Sequence, residues 1–344
     1  MDKKLSNVIK YILSILVAVL FLYFSFKGVK WSDLVTGLET CRWEYIIMSM
    51  IIGVAAFWFR GMRWRELLLP IDPSTKKLTT FNAINIGYLA NFVFPRIGEF
   101  VRCGFITKNS PAIQDSSDTG ETGKIQTRKI ASYDKVLGTV VVERAWDVIV
   151  MFLFLIAILI FGWERFGSFF VDKMWRPLSA KLDFSLWWLL AAITVTIVAV
   201  IWIIIKLKDR SRLCTKITGF FTGIWQGIKS CLGMKKAWRF FLYTAIIWSM
   251  YWLMSFSSMR AVPQMDGLGI TDALFLMIAG SLGWFIPVPG GFGAFHYIVA
   301  MAVSVIYGVP FELGIVFATL SHESQAITMI VCGGFSYTYE TMKK

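Results

Sequence analysis

Apolar residues run along this chain in blocks rather than in alternation. Six blocks approach the roughly 20 residues needed to cross a bilayer: about 8–26, 44–59, 136–161, 187–205, 240–261 and 313–336. Each predicts a spanning helix, because a backbone in hydrocarbon has to satisfy its own hydrogen bonds. Two further apolar stretches, about 81–106 and 272–307, are interrupted by Gly, Pro, Asn and charged residues that a lipid-facing helix does not tolerate. The first block follows a basic start, but it is long and no small-residue cleavage site follows it, so it predicts a retained helix.

Basic residues between the blocks predict the topology. Lys3, Lys4 and Lys10 precede or open the first block, and Arg60, Arg63, Arg65, Lys76 and Lys77 follow the second, which places both regions in the cytoplasm. Segment 206–239 carries nine Lys/Arg against the single acid Asp209, and Lys343 and Lys344 end the sequence, so these regions are expected inside as well. Segment 162–186, with four basic and three acidic residues, reads as external. Both flanks of 81–106 then demand the cytoplasm, since Lys108, Lys124, Arg128, Lys129 and Lys135 lie beyond it. One crossing would break the charge rule, so the segment is expected to enter and return as a re-entrant hairpin; the same parity makes 272–307 a hairpin from the opposite face. Opposed broken hairpins are the pattern of an inverted repeat.

The fold class expected is therefore all-α: a polytopic transmembrane helix bundle with about six full spans and two re-entrant helical hairpins, forming one integral membrane domain over 1–344. Segment 108–130, rich in Ser, Thr, Asp and Gly, reads as a mobile cytoplasmic loop. In 206–239, Ile217, Phe220, Phe221, Trp225 and Ile228 alternate with basic residues, as in an interfacial helix. The expected location is the inner (plasma) membrane, multi-pass, with both termini cytoplasmic.

Composition agrees with membrane as the solvent. The 344 residues are 56% hydrophobic and 17% charged, with a mean hydropathy of +0.63. The net charge of +13 would point to nucleic acid in a soluble protein. Here the basic residues sit between apolar blocks and no basic domain stands apart, so anionic lipid is the expected partner and nucleic acid is not. Cys41, Cys103, Cys214, Cys231 and Cys332 show neither metal-ligand nor redox-pair spacing and read as small apolar residues.

Four clusters carry chemistry. In NFVFPRIGEFVRCGF, Pro95 removes a backbone donor and Gly98 permits tight geometry, so the backbone can unwind beside Asn91. Arg96 and Arg102 suit bidentate contact with a lipid phosphate, whereas Glu99, three residues before Arg102, could instead pair with it and merely neutralise charge. In VVVERAWDVIVMF, Glu143 and Asp147 share a helix face and should point into the bundle toward Arg96, Arg102 or Arg144, as a functional or a purely structural cluster. In GWFIPVPGGFGAFHYIVA, Pro287, Pro289, Gly290, Gly291 and Gly293 force a reversal; a helix N-terminus near Ala294 would favour an anion, with His296 one turn on, and a turn without ligand is the alternative. In FATLSHESQAITM, His322, Glu323, Ser324 and Gln325 lie in the last span, and His296 and His322 are the only histidines. A polar, proton-responsive lining or plain packing is expected there. No metal is expected, since two imidazoles and a carboxylate of unknown facing are few ligands. No GxSxG, HExxH or P-loop occurs, so no catalytic residue and no cofactor is assigned and enzyme activity is not expected.

The order FRGMRW, NFVFPRIGEFVR, ERAWD and PVPGGFGAFH resembles the lysylphosphatidylglycerol synthase transmembrane-region, or flippase-like, family over most of the chain. The resemblance implies a lipid-handling module. The related domain of multiple peptide resistance factors moves aminoacylated phosphatidylglycerol between leaflets, and other relatives are tied to polyprenyl-linked sugars. Those factors append a soluble aminoacyltransferase, and this sequence ends eight residues after its last expected span, so lysyl transfer by this chain alone is not expected. The family pattern falls on Asn91, Pro95, Arg96, Gly98, Glu99, Arg102, Glu143, Arg144, Asp147, Pro289, Gly290, Gly291 and Gly293. His296 departs from it, standing where relatives often carry an acid, and SHESQ is not a shared signature. The resulting expectation is translocation of an anionic, phospho- or polyprenyl-linked lipid. Arg96, Arg102, Asn91, Gly290, Gly291 and Gly293 would bind the headgroup, and Glu99, Glu143, Arg144, Asp147, His296, His322 and Glu323 would line a polar path. A non-transporting partner of a membrane transferase, an intramembrane transferase and an ion-coupled transporter are the rivals; oligomeric state is left open.

Overall fold

The computed structural model describes residues 31–93, 96–115, 126–179, 212–286 and 288–343, with a few isolated positions besides. The expected spans 8–26 and 187–205 fall outside these apart from isolated positions. The described chain is helical except for one two-stranded ribbon. Among the described residues, four helices are long and apolar enough to cross a membrane: Trp43–Leu68, Tyr133–Phe161, Ala237–Arg260 and Phe311–Met342. They coincide with four of the six expected spans.

Two units fold compactly, 1–133 with 233–344, and 134–232. In the first, α1 (Trp31–Glu39), α2 (Trp43–Leu68), α3 (Lys77–Val93) and α4 (Gly98–Asn109) come from the N-terminal part. The ends of the expected loop 108–130 pair as an antiparallel ribbon, β1 (Ala112–Asp115) with β2 (Gln126–Lys129), Ala112 opposite Lys129; residues 116–125 lie outside the described residues. The second unit holds nearly all of α5 (Tyr133–Phe161), then α6 (Trp163–Phe169) and α7 (Arg212–Leu232). Within it α5 and α7 touch at Gly138 and Gly227, where a Cβ would overlap the backbone of Ile224 and Lys135 respectively. Phe220, Phe221 and Trp225 stand exposed on α7.

The first unit is completed by α8 (Ala237–Arg260), α9 (Ile270–Phe285), α10 (Ala294–Tyr307) and α11 (Phe311–Met342). Its central pair is α2 against α8, antiparallel. At one end hydroxyls join them: Ser257 Oγ donates to the Tyr45 carbonyl at 2.6 Å, and Ser258 Oγ to Ser49 Oγ at 3.2 Å. Small hydroxylated residues let apolar helices approach and satisfy their own polar groups inside the packing.

At the other end of this pair the helix runs past the apolar block. The apolar block ends near 59, whereas α2 continues to Leu68 and buries Arg60 and Arg63. The helix continues because partners are ready for both charges. Arg60 Nη1 donates to Tyr251 Oη at 3.1 Å and its guanidinium lies 5.7 Å from the Tyr88 ring centroid. Arg63 Nη1 reaches Thr244 Oγ1 at 3.5 Å and its guanidinium sits 5.7 Å from Phe240. Desolvated contacts of this kind contribute about 2 kcal/mol each against the cost of burying charge. The basic signal in this loop rests on the exposed Lys76 and Lys77.

Past α2, the buried carboxylate of Asp72 gathers the connection. Ser74 donates to Oδ1 through its backbone N–H at 3.0 Å and its hydroxyl at 2.6 Å, and Ser110 Oγ donates to Oδ2 at 2.7 Å, tying this turn to the end of α4. Near the start of α2, Arg42 forms an ion pair with Asp266 and holds that carboxyl below its ordinary range.

Candidate functional site

The first interrupted segment is two helices packed on each other. α3 ends at Val93 and α4 begins at Gly98, with Phe94 and Pro95 outside the described residues. Asn91 reaches across the break, its Oδ1 accepting the Gly98 N–H at 2.7 Å. Gly87 and Gly98 let the arms touch: a Cβ on Gly87 would lie 2.9 Å from the Gly98 carbonyl oxygen, and one on Gly98 would overlap the Gly87 carbonyl. Arg96 is the only described non-glycine residue with positive φ, at 58°, and it is exposed. A left-handed residue with a Cβ costs about 1 kcal/mol, so the break is a shaped corner that holds Arg96 outward.

The second segment is built alike. α9 ends at Phe285, a short 3-10 turn covers Pro289–Gly291, and α10 starts at Ala294. Gly290, Gly291 and Gly293 have φ of 59°, 76° and 79°, a run that side chains would strain. Pro287 lies outside the described residues. The arms close through Gly283, where a Cβ would come within 2.7 Å of Phe295 Cα.

The two breaks meet. Phe92, at the end of α3, packs edge-on against Phe292 of the glycine turn with centroids 6.5 Å apart, and a Cβ at Gly290 would lie 3.1 Å from the Phe92 ring. The central part of α11 supports this junction. His322 Nε2 is 2.8 Å from the Gly290 carbonyl oxygen, which can only accept, so this nitrogen carries the proton. The buried ring stacks on Trp284 at 5.3 Å and contacts Phe292 and Phe295 at 4.9 and 5.2 Å. Glu323 Oε1 then stands 3.1 Å from His322 Nδ1 and 3.6 Å from Nε2 of His296, itself buried on α10. Thus His296, His322 and Glu323, read separately from two distant segments, form one cluster behind the glycine turn.

Other expected site residues are placed differently. Arg102 is buried with its guanidinium 4.5 Å from the Trp64 ring centroid. Glu99 makes no ion pair among the described residues and its Oε2 is enclosed without a hydrogen-bond partner there, so the alternative pairing of Glu99 with Arg102 is not formed among them. The aromatic face of Trp64, four residues beyond Arg60 and on the same helix, takes the cation instead. In the second unit Arg144 is the partner of the ERAWD acids: its Nη2 donates to Glu143 Oε1 at 2.9 Å and its Nη1 lies 3.7 Å from Asp147 Oδ2, with Glu143 fully buried.

Sequence reasoning missed the buried arginine and aromatic layer of Arg60, Arg63, Trp64 and Tyr88. Its signal was present in FRGMRW, where Arg60 and Arg63 fall three apart on a helical stretch. The aromatic cage of Trp284, Phe292 and Phe295 around His322 had no comparable signal, because its members come together only through packing.

Compared with known proteins, residues 11–333 match the model of the family described as the lysylphosphatidylglycerol synthase TM region. No curated protein and no solved structure matched the chain.

Proposed function

The chain belongs to the lysylphosphatidylglycerol synthase transmembrane-region family, and from that premise we propose that this multi-pass membrane protein moves an anionic lipid, phospho- or polyprenyl-linked, between leaflets. The observation that carries the reading is the contact between two interrupted hairpins, Phe92 on Phe292. Their arms contain 17, 12, 16 and 14 residues. At about 1.5 Å per residue the longest reaches roughly 26 Å, short of the ~30 Å hydrocarbon core. Arms of this length fit re-entrant hairpins whose tips meet inside the membrane, where unwound backbone is tolerated only if it is buried or lines a polar cavity.

Two helix N-termini, those of α4 and α10, open at the breaks, and each favours negative charge. Arg96 stands at the first tip, and Asn91 with Gly290, Gly291 and Gly293 supplies the nearby polar backbone. These residues receive the headgroup in our reading. Glu99, His296, His322 and Glu323 line the adjoining polar path. Arg102, covered by Trp64, shapes the base of the hairpin, and Glu143, Arg144 and Asp147 form a charge-compensated cluster within the other unit. The lysine-rich segments of the sequence support an inner-membrane placement with both termini cytoplasmic.

The test is leaflet exchange in reconstituted vesicles, using reporter-labelled phosphatidylglycerol, a polyprenyl phosphate and zwitterionic phosphatidylcholine. Exchange of an anionic lipid should exceed that of protein-free vesicles, and Arg96→Ala should remove the excess while circular dichroism stays unchanged. Exchange at the protein-free rate for both anionic lipids overturns the proposal. Lipid binding without movement, together with co-purification of a transferase, would point to the partner role instead.

A further inference from the structure

Three side chains from two helices bring potential ligand atoms to one place: His296 of α10 with His322 and Glu323 of α11, all within 4.8 Å of one another. Two features set the cluster apart from a packed polar patch. First, with the Gly290 carbonyl accepting from His322 Nε2, the other ring nitrogen, Nδ1, faces Glu323 Oε1 at 3.1 Å. Second, His296 Nε2 aims at that same oxygen from 3.6 Å. The three atoms thus converge on one point from two helices, where a cation can be seated among them.

We propose that His296 Nε2, His322 Nδ1 and the Glu323 carboxylate bind a divalent transition metal of the zinc class. Two imidazoles and a carboxylate match the ligand preferences of such ions and not those of Mg²⁺ or Ca²⁺, which take oxygen. Bonds of 2.0–2.2 Å in tetrahedral geometry set ligand atoms about 3.3 Å apart, so the two contacts to Oε1 are already near that spacing and the widest separation closes by at most about 1.5 Å. The Gly290 carbonyl acts as the outer partner that orients the His322 ring and sets its tautomer, a usual companion of metal-bound histidine. Both histidines are buried, whereas 36% of the Glu323 side chain is exposed, which leaves a fourth position for an oxygen ligand on that side. The sequence alone left the facing of this carboxylate undefined; the packing of α10 on α11 supplies it. The ion would join the second hairpin to α11 directly behind the glycine turn.

The full chain, purified in detergent with a tag free of histidine and stripped with chelator, is titrated with Co²⁺ and then Zn²⁺. The expected result is visible ligand-field absorption saturating at about one Co²⁺ per chain and lost when Zn²⁺ is added. Glu323→Gln and His296→Gln should each weaken binding at least about tenfold with unchanged circular dichroism. If His296→Gln fails to fold, Glu323→Gln decides, since that side chain is partly exposed. Saturation below about a tenth of a metal per chain, or wild-type affinity in Glu323→Gln, overturns the proposal. This readout is independent of lipid movement.

Discussion

His322 Nε2 donates to the carbonyl oxygen of Gly290 across 2.8 Å, fastening the turn of the second hairpin to the long helix α11. Neither residue can be replaced quietly. His322→Phe keeps the aromatic contacts with Trp284 and Phe295 but strands a buried carbonyl, which costs about 1–3 kcal/mol. Gly290→Ala adds a Cβ at φ 59°, 2.9 Å from Phe292 and 3.1 Å from Phe92. Both variants should melt at lower temperature than wild type in detergent with chelator present. Unchanged melting of His322→Phe would show that the bond carries no weight.

The closeness of the first hairpin's arms rests on Gly98. Gly98→Ala drives its new methyl into the Gly87 carbonyl, which is backbone and cannot rotate away. Gly104→Ala, on the same helix with nothing within 4 Å of the added Cβ, is the control and should gain slightly through helix propensity. Comparing their detergent melting temperatures gives the answer: equal values would mean that α3 and α4 are not in contact at this point.

Arg102 and Trp64 form a cation–π pair away from solvent, with 4.5 Å between guanidinium and ring. Trp64→Leu and Arg102→Lys should each destabilise, the lysine because it loses the planar stacking surface of arginine. A double-mutant cycle in urea-dependent unfolding is expected to return a coupling of about 1–2 kcal/mol. Strict additivity would remove this pair from the account of why Arg102 is buried.

Outside the membrane segments, the Arg42–Asp266 pair makes a pH prediction. The hydrogen bond from Arg42 lowers the carboxyl below its ordinary value of 3.8, so the folded state binds this proton less readily than the unfolded chain. The associated stabilisation is therefore fully present above about pH 4–5 and is lost as pH falls through the lowered value. The difference in melting temperature between wild type and Asp266→Asn should be constant from about pH 5 to 8 and shrink at lower pH. A difference that grows on acidification contradicts the assignment.

Much of this architecture is legible in residue order because it depends on near neighbours. Four spans emerge where apolar blocks are long, and the breaks around Arg96 and Gly290–Gly293 emerge where Pro and Gly cluster, since hydrocarbon transfer and backbone sterics act locally. The end of α2 lies beyond the apolar block for the converse reason. Arg60 and Arg63 look like loop residues beside a span until Tyr251, Tyr88, Thr244 and Phe240 arrive from other helices to receive them.

The candidate site divides along the same line. Asn91 and Gly98 interact across seven positions, and Glu143 with Arg144 across one, so a helical wheel or a turn rule reaches them. His296 and His322 belong to different helices, and their rings come within 4.8 Å only because α10 folds back along α11. Residue order thus settled that this is a membrane protein, where four of its spans run and where two of its apolar segments break. Packing alone settled which tip touches which, which cations are buried, and that two histidines and one carboxylate share a centre, because side-chain facing is chosen by the close fit of distant surfaces and no local preference encodes it.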